Sequence, residues 1–176
     1  KKCRVFIVDD HELIRTGLKT VLNDQSSIKV AGEAGSYEGL MKGLRSGKVD
    51  IVILDITLPD RDGLDALKNI RTLFPNVHVL MLSMHPEERF AVRALRAGAA
   101  GYLNKQMAAT ELVKALEKIR KGGKYISPEL AEQLACEIGR KTEPLHKSLT
   151  DREFEIFRLV AMGKTSSKIA KELSLS

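Results

Sequence analysis

The chain has 176 residues, 43% of them hydrophobic and 30% charged, as expected of a soluble globular protein large enough for one good core and a smaller second unit. No apolar run approaches the roughly 20 residues of a membrane span, and no signal peptide opens the chain. The formal charge is +6, but 21 Lys and Arg meet 15 Asp and Glu through Tyr125 and 8 meet 8 from Ile126 onward, so the excess sits in the first part and does not by itself argue for nucleic acid.

Strand and helix patterns alternate from the start. Arg4–Val8 is a short apolar run, followed by a helical pattern over His11–Leu22 with Leu13, Ile14, Leu18, Val21 and Leu22 on one face. Ile28–Ala31 is a second strand, and Tyr37–Arg45 a helix with Ser36 as its N-cap. Val49–Asp55 is the third strand, and the turn Leu58–Gly63 leads into a helix over Leu64–Leu73. Val77–Ser83 is the fourth strand. Pro86 suits the first turn of a helix that runs to Ala97 and stops at Gly98. Ala100–Leu103 and Ala109–Lys121 complete a fifth strand–helix unit. Five such units predict an α/β fold with a parallel sheet and helices on both faces. From there the strand signals cease. Ser127 can cap a helix to Ile138, Gly139–Ser148 reads as a linker around Pro144, and Leu149–Ser176 is helical in pattern.

Asp9 and Asp10 follow the first strand, and Asp55 ends the third. Ligands of open α/β sheets sit outside the carboxyl ends of the strands, which brings these acids into one crevice. Clustered carboxylates repel unless a cation joins them, and an all-oxygen ligand set suits Mg²⁺. Ser83 ends the fourth strand and Lys105 follows the fifth. Acids, a metal, a hydroxyl and an ammonium are the parts that phosphoryl transfer needs. Asp9 or Asp10 alone would be read as a helix cap; the set with Asp55 and Lys105 is not explained by capping.

The motifs Val8-Asp9-Asp10-His11, Leu54-Asp55-Ile56-Thr57-Leu58-Pro59-Asp60-Arg61-Asp62-Gly63-Leu64, Ser83 and Gly98-Ala99-Ala100-Gly101-Tyr102-Leu103-Asn104-Lys105 resemble the receiver domain of two-component response regulators, of the LuxR/FixJ (NarL-type) variety. The resemblance implies a flavodoxin-like sheet of order 2-1-3-4-5 and a Mg²⁺ cofactor. It implies that Asp55 is the phosphoacceptor for a sensor histidine kinase. Asp10, Asp55 and the backbone carbonyl of Thr57 would bind the ion, with Asp9 acting mainly through its water shell. Lys105 would pair with the phosphoryl group, Ser83 would turn its hydroxyl towards it, and Tyr102 would follow by changing rotamer, biasing a two-state surface. Pro59 and Gly63 would shape the acceptor loop. His11 is read as a cap-region residue bordering the crevice. His85 and Thr57 are hypothesised to tune the lifetime of the acyl phosphate.

Leu149-Thr150-x-x-Glu153 opens a helix with a capping box, and Gly163-x-Thr165-x-x-x-Ile169-Ala170-x-x-Leu173 continues it as a helix–turn–helix. This pair resembles the start of the LuxR/FixJ DNA-binding domain. The helix that would lie in the major groove comes next in that family, beyond Ser176. The expectation is therefore a transcription factor of which this chain is a part, with the DNA-binding residues still to come. The domains are expected at 1–125 (receiver), 126–148 (linker with a short helix) and 149–176 (an incomplete all-α domain). Expected partners are the kinase, DNA for the intact protein, and a second copy on phosphorylation. No membrane is expected, and Cys3 and Cys136 fit free thiols in a reducing cytoplasm. The alternative is a receiver that serves as a phosphorylation-independent interaction module. A haloacid-dehalogenase-like phosphatase fits poorly because Asp9 and Asp10 are adjacent and leave a strand in opposite directions. A dinucleotide-binding domain lacks its Gly-x-Gly-x-x-Gly.

Overall fold

The computed structural model describes residues 2–84, 88–127, 130–132 and 158–159. The chain divides into two compact units, Lys1–Cys136 and Glu137–Ser176. The first alternates β1 (Cys3–Val8), α1 (Glu12–Asn23), β2 (Ile28–Ala34), α2 (Tyr37–Ser46), β3 (Ile51–Asp55), α3 (Gly63–Leu73), β4 (His78–Ser83), α4 (Glu88–Arg96), β5 (Gly101–Asn104) and α5 (Ala108–Arg120). The five strands are parallel, in the order β2-β1-β3-β4-β5, as the resemblance implied. No helix among the described residues is long and apolar enough to cross a membrane.

The continuous apolar runs form strands because both faces of this sheet are covered. Val5, Ile7, Ile51, Ile53, Leu80 and Leu82 face Leu18 and Leu22 of α1 and Leu112, Leu116 and Ile119 of α5 in one core cluster. Alternate residues Phe6, Val52, Leu54, Val79 and Met81 are buried as well and point the other way, and α2 packs against β1 and β2, α3 against β3, α4 against β5. The β1–β3–β4 register sets Val8 beside Leu54 and Asp55 beside Leu82. The strands therefore end together, and the residues just past them share one rim.

Two sequence expectations need correction. Leu13 does not belong to the buried face of α1: it is 83% exposed. Ile14 in the same turn packs against the core, and Leu13, about 100° round the helix from it, falls outside the buried stripe. The second strand runs on to Ala34 instead of ending at Ala31. Val5 pairs with Val30 but Phe6 with Gly32, so Ala31 is an extra residue, and the bulge conceals the strand's continuation. Gly98 stops α4 as expected, with φ +98°, a conformation that a side chain would disfavour. Ser127 caps the next helix through Leu130 N, 3.2 Å away. In the second unit Arg158 and Leu159 are helical and Leu159 is buried. Thr150, Glu153, Gly163 and the second predicted helix lie outside the described residues.

Two side chains cap the start of α2, and one comes from far along the chain. Ser36 Oγ accepts from Gly39 N at 3.2 Å and Ser36 O from Leu40 N at 3.1 Å. Asp60, in the loop after β3, accepts from Tyr37 N at 2.9 Å and Glu38 N at 3.0 Å. The amides of Tyr37, Glu38 and Gly39, which a helix start leaves without internal partners, are thereby satisfied. Arg61 stacks over the Tyr37 ring at 4.5 Å, and Asn69 donates to the Tyr37 hydroxyl at 3.3 Å. Burial pushes the Asp60 carboxyl up, but the two helix amides outweigh it and leave its pKa lowered. A carboxylate with a depressed folded pKa stabilises above its unfolded pKa, and that contribution is lost as pH falls through the folded value. Asp60→Ala is expected to cost about 1 kcal/mol at neutral pH, the usual loss for an N-cap. Urea titrations of both proteins should show this gap closing as the pH falls below the carboxylate range.

Candidate functional site

The rim of the sheet carries every acid that the sequence placed there. Asp9 is fully buried, and Asp55 is 3% exposed at the end of β3. Between them lies the ammonium of Lys105, 2.7 Å from Asp9 Oδ2 and 2.7 Å from Asp55 Oδ2, with its side chain 4% exposed. Lys105 reaches them from the single turn of 3₁₀ helix (Lys105–Met107) that follows β5. The Asp55 contact is a hydrogen bond. The Asp9 contact is an equally short ion pair. Burial works against the charged lysine, yet its bonds to Asp55 and Asp9 leave its pKa raised. For Asp55 the balance goes the other way. Burial raises its carboxyl pKa, Lys105 opposes this, and the charge of Asp9 adds to it.

Asp55 Oδ1 accepts from Thr57 N at 3.2 Å. The loop beyond folds back on itself, with Thr57 opposite Asp62 and Gly63 N donating to Ile56 O at 2.8 Å. Asp62 caps α3 through Leu64 N and Asp65 N. This return is possible only without a side chain at residue 63. A Cβ there would stand 2.6 Å from Asp55 O, Ile56 Cα and Ile56 O, all of them backbone.

Asp10 and His11 form the open side of the crevice. His11 Nδ1 lies 2.8 Å from Asp10 Oδ1 and 3.1 Å from Asp9 Oδ1, and His11 N donates to Asp9 Oδ1 at 2.9 Å. His11 is the residue that precedes α1 and makes no side-chain cap bond, so it borders the crevice as read from the sequence. Oxygen or nitrogen atoms of Asp9, Asp10, His11 and Asp55 all fall within 4.8 Å of one another. An acidic, half-open cluster of oxygen ligands fits a hard divalent cation.

Ser83 and Tyr102 are present on neighbouring strands and are buried, at 2% and 6% exposed. Ser83 lies one residue past Leu82, the partner of Asp55 in the sheet, and Tyr102 pairs with Met81. His85 lies outside the described residues. Arg15 is a neighbour of the site that the motifs did not single out: its Nη1 donates to the backbone carbonyl of Asp9 at 2.8 Å. The signal for it was its place one turn after His11, because long helical side chains lean back towards the helix start.

Comparison with known proteins meets this geometry from another side. Residues 5–117 match the response regulator receiver domain family, and residues 147–176 match the bacterial regulatory proteins of the luxR family. The chain belongs to the response regulators. This response regulator is 37% identical over 174 residues to the response regulator UvrY of Escherichia coli K12, covering 98% of the chain and 80% of the relative. It is 34% identical over 175 residues to the response regulator GacA of Pseudomonas aeruginosa, covering 98% of the chain and 82% of the relative. Among solved structures, a LuxR-family two-component response regulator from Aurantimonas sp. superposes with a TM-score of 0.75 at 33% identity, over 80% of this chain and 100% of that one. A structure of two RcsB dimers bound to two parallel DNAs superposes with a TM-score of 0.73 at 28% identity, over 100% of this chain and 85% of that one. The response regulator thus joins a receiver to a LuxR-type DNA-binding region.

Proposed function

We propose that Asp55 is the phosphoacceptor of this response regulator and that its phosphorylation by a sensor histidine kinase controls transcription through the LuxR-type region. The observation that carries the proposal is the Lys105 ammonium shared at 2.7 Å between Asp9 and Asp55, at a rim where Asp10 is open to solvent. An oxygen of Asp55 attacks phosphorus, the bond from phosphorus to the donor nitrogen breaks, and the imidazole departs with that electron pair. Lys105 holds Asp55 Oδ2 and Thr57 N holds Oδ1, so the nucleophile is oriented before the donor arrives. As the phosphoryl group adds, Lys105 moves its pairing from the carboxylates to the incoming oxygens. Asp10, Asp55 and the carbonyl of Thr57 would hold Mg²⁺, with Asp9 acting mainly through its water shell. When bound, the ion offsets charge on the transferring oxygens. Ser83 bonds the phosphoryl group and Tyr102 relays the change along β5.

The boundaries 1–125, 126–148 and 149–176 divide the proposed roles between receiver, linker and DNA-binding part, in a protein of the cytoplasm. Pairing of two copies on DNA is supported by the RcsB dimers described above, and phosphorylation is proposed to promote it. Intact-mass spectrometry after incubation with acetyl phosphate and Mg²⁺ tests the acceptor. One added phosphoryl group is expected in wild type and none in Asp55→Asn. No adduct on folded wild-type protein at any time point would turn the reading to a phosphorylation-independent interaction module.

A further inference from the structure

Arg15 touches none of the groups that would meet phosphate, yet it is nearly buried, at 16% exposed, and its guanidinium grips the chain where the acids begin. Nη1 donates to Asp9 O at 2.8 Å. Nε stands 3.8 Å from Glu33 Oε2, too far for a hydrogen bond, and Glu33 is itself held by Lys19 Nζ at 2.9 Å. Asp9 N donates to Ala34 O at 3.1 Å. The backbone of Asp9 is therefore fastened at both ends, its amide to β2 and its carbonyl to α1. Gly35 lies alongside, where even a Cβ would make only ordinary contact, 3.6 Å from Nη1 and 3.8 Å from Asp9 O.

Asp9 is the residue at which β1 has left the sheet, so its carbonyl has no strand to bond. The direction of that carbonyl sets the peptide plane between Asp9 and Asp10, and with it the direction in which the Asp10 carboxylate leaves the chain. We infer that Arg15 is a positioning residue for divalent-cation binding: by holding Asp9 O it aims Asp10 across the crevice at Asp55. This rests on the proposed Mg²⁺ site of Asp9, Asp10 and Asp55.

Charge and geometry pull in opposite directions here, which makes the inference sharp. A guanidinium close to a cation site repels the cation. Removing it would tighten Mg²⁺ binding if Arg15 acted through its field alone. If Arg15 acts by holding the carbonyl, removing it loosens Asp10 and weakens binding, as loss of a supporting contact around metal ligands does.

Isothermal titration of the full chain with MgCl₂ distinguishes the two. Arg15→Met is expected to bind Mg²⁺ about tenfold more weakly than wild type, the scale of such supporting contacts. Arg15→Lys, which keeps the charge but not the reach and fork of the guanidinium, is expected to fall between them. The acetyl phosphate reaction supplies a second readout: the half-saturating Mg²⁺ concentration should rise in Arg15→Met, while the rate at saturating Mg²⁺ stays near wild type. Unchanged or tighter binding in Arg15→Met overturns the inference. If that variant does not fold, Arg15→Lys decides, and wild-type affinity there overturns it equally. Mg²⁺ binding by wild type that Asp10→Asn leaves intact would instead remove the metal site itself, and the inference with it.

Discussion

Gly63→Ala is expected to unfold the acceptor loop and to cost at least about 3 kcal/mol, the upper end for overpacking. The added methyl group would collide at 2.6 Å with Asp55 O and with two backbone atoms of Ile56. A flexible side chain could step aside from such a contact, but these atoms cannot. They belong to the end of a central strand and to the peptide that turns the chain after it. Relief must come from moving residue 63, which breaks the 2.8 Å bond from Gly63 N to Ile56 O and disturbs the Asp62 cap of α3. Urea denaturation should therefore show a lower midpoint, with the loss persisting in the Asp55→Asn background. The same displacement shifts Thr57 N away from Asp55, so acetyl phosphate labelling should fall sharply even where the protein remains folded. Wild-type stability and labelling in Gly63→Ala would mean that the loop is free to rearrange.

The second large effect concerns charge. Lys105→Met removes the cation that both buried carboxylates share. Leaving buried charges without their partner commonly costs about 3–5 kcal/mol, and in EDTA at neutral pH the loss is expected near the lower figure. The pH dependence has a definite sign. Burial already raises the Asp55 pKa, so its contribution to stability is complete below the ordinary carboxylate pKa and declines as pH rises through the raised value. Without Lys105 that rise is larger and the decline steeper. The variant's deficit should accordingly be greatest at neutral pH and shrink on acidification, and Mg²⁺ should recover part of it. Thermal melts across pH, with EDTA and with MgCl₂, provide the check. A deficit that acid and Mg²⁺ leave untouched would show that packing of the lysine stem matters more than its charge.

The parts legible in the sequence are those that obey local rules. Apolar runs such as Ile51–Leu54 and Val79–Leu82 had to be strands covered on both faces, and the acids at their ends had to meet on the rim. The resemblance added roles for Asp55, Lys105, Ser83 and Tyr102, and the fold brings the first two into contact. Local rules failed where an apolar residue falls just outside a helix's buried stripe, as with Leu13, or where a bulge hides a strand's continuation, as at Ala31. They are also silent about tertiary anchors. Asp60 follows an ordinary turn motif in sequence, yet caps a helix that begins 23 residues earlier. Arg15 looks like any polar residue on an amphipathic helix until the bend after β1 sets a carbonyl within its reach. Such contacts depend on where two elements come to rest, which periodicity does not encode.

The outer rim of β5 is closed by a residue that lies beyond the receiver match. Tyr125 N donates to Ala100 O at 2.9 Å, Tyr102 N to Tyr125 O at 3.2 Å, and the Tyr125 hydroxyl to Glu111 Oε2 at 2.7 Å. The match to the receiver family ends at residue 117, so evolutionary bookmark and mechanical hem do not coincide. Anyone excising the receiver at the bookmark would unpick that hem. The bared strand would then offer its amides to the next molecule in solution, which is how truncated sheets turn adhesive.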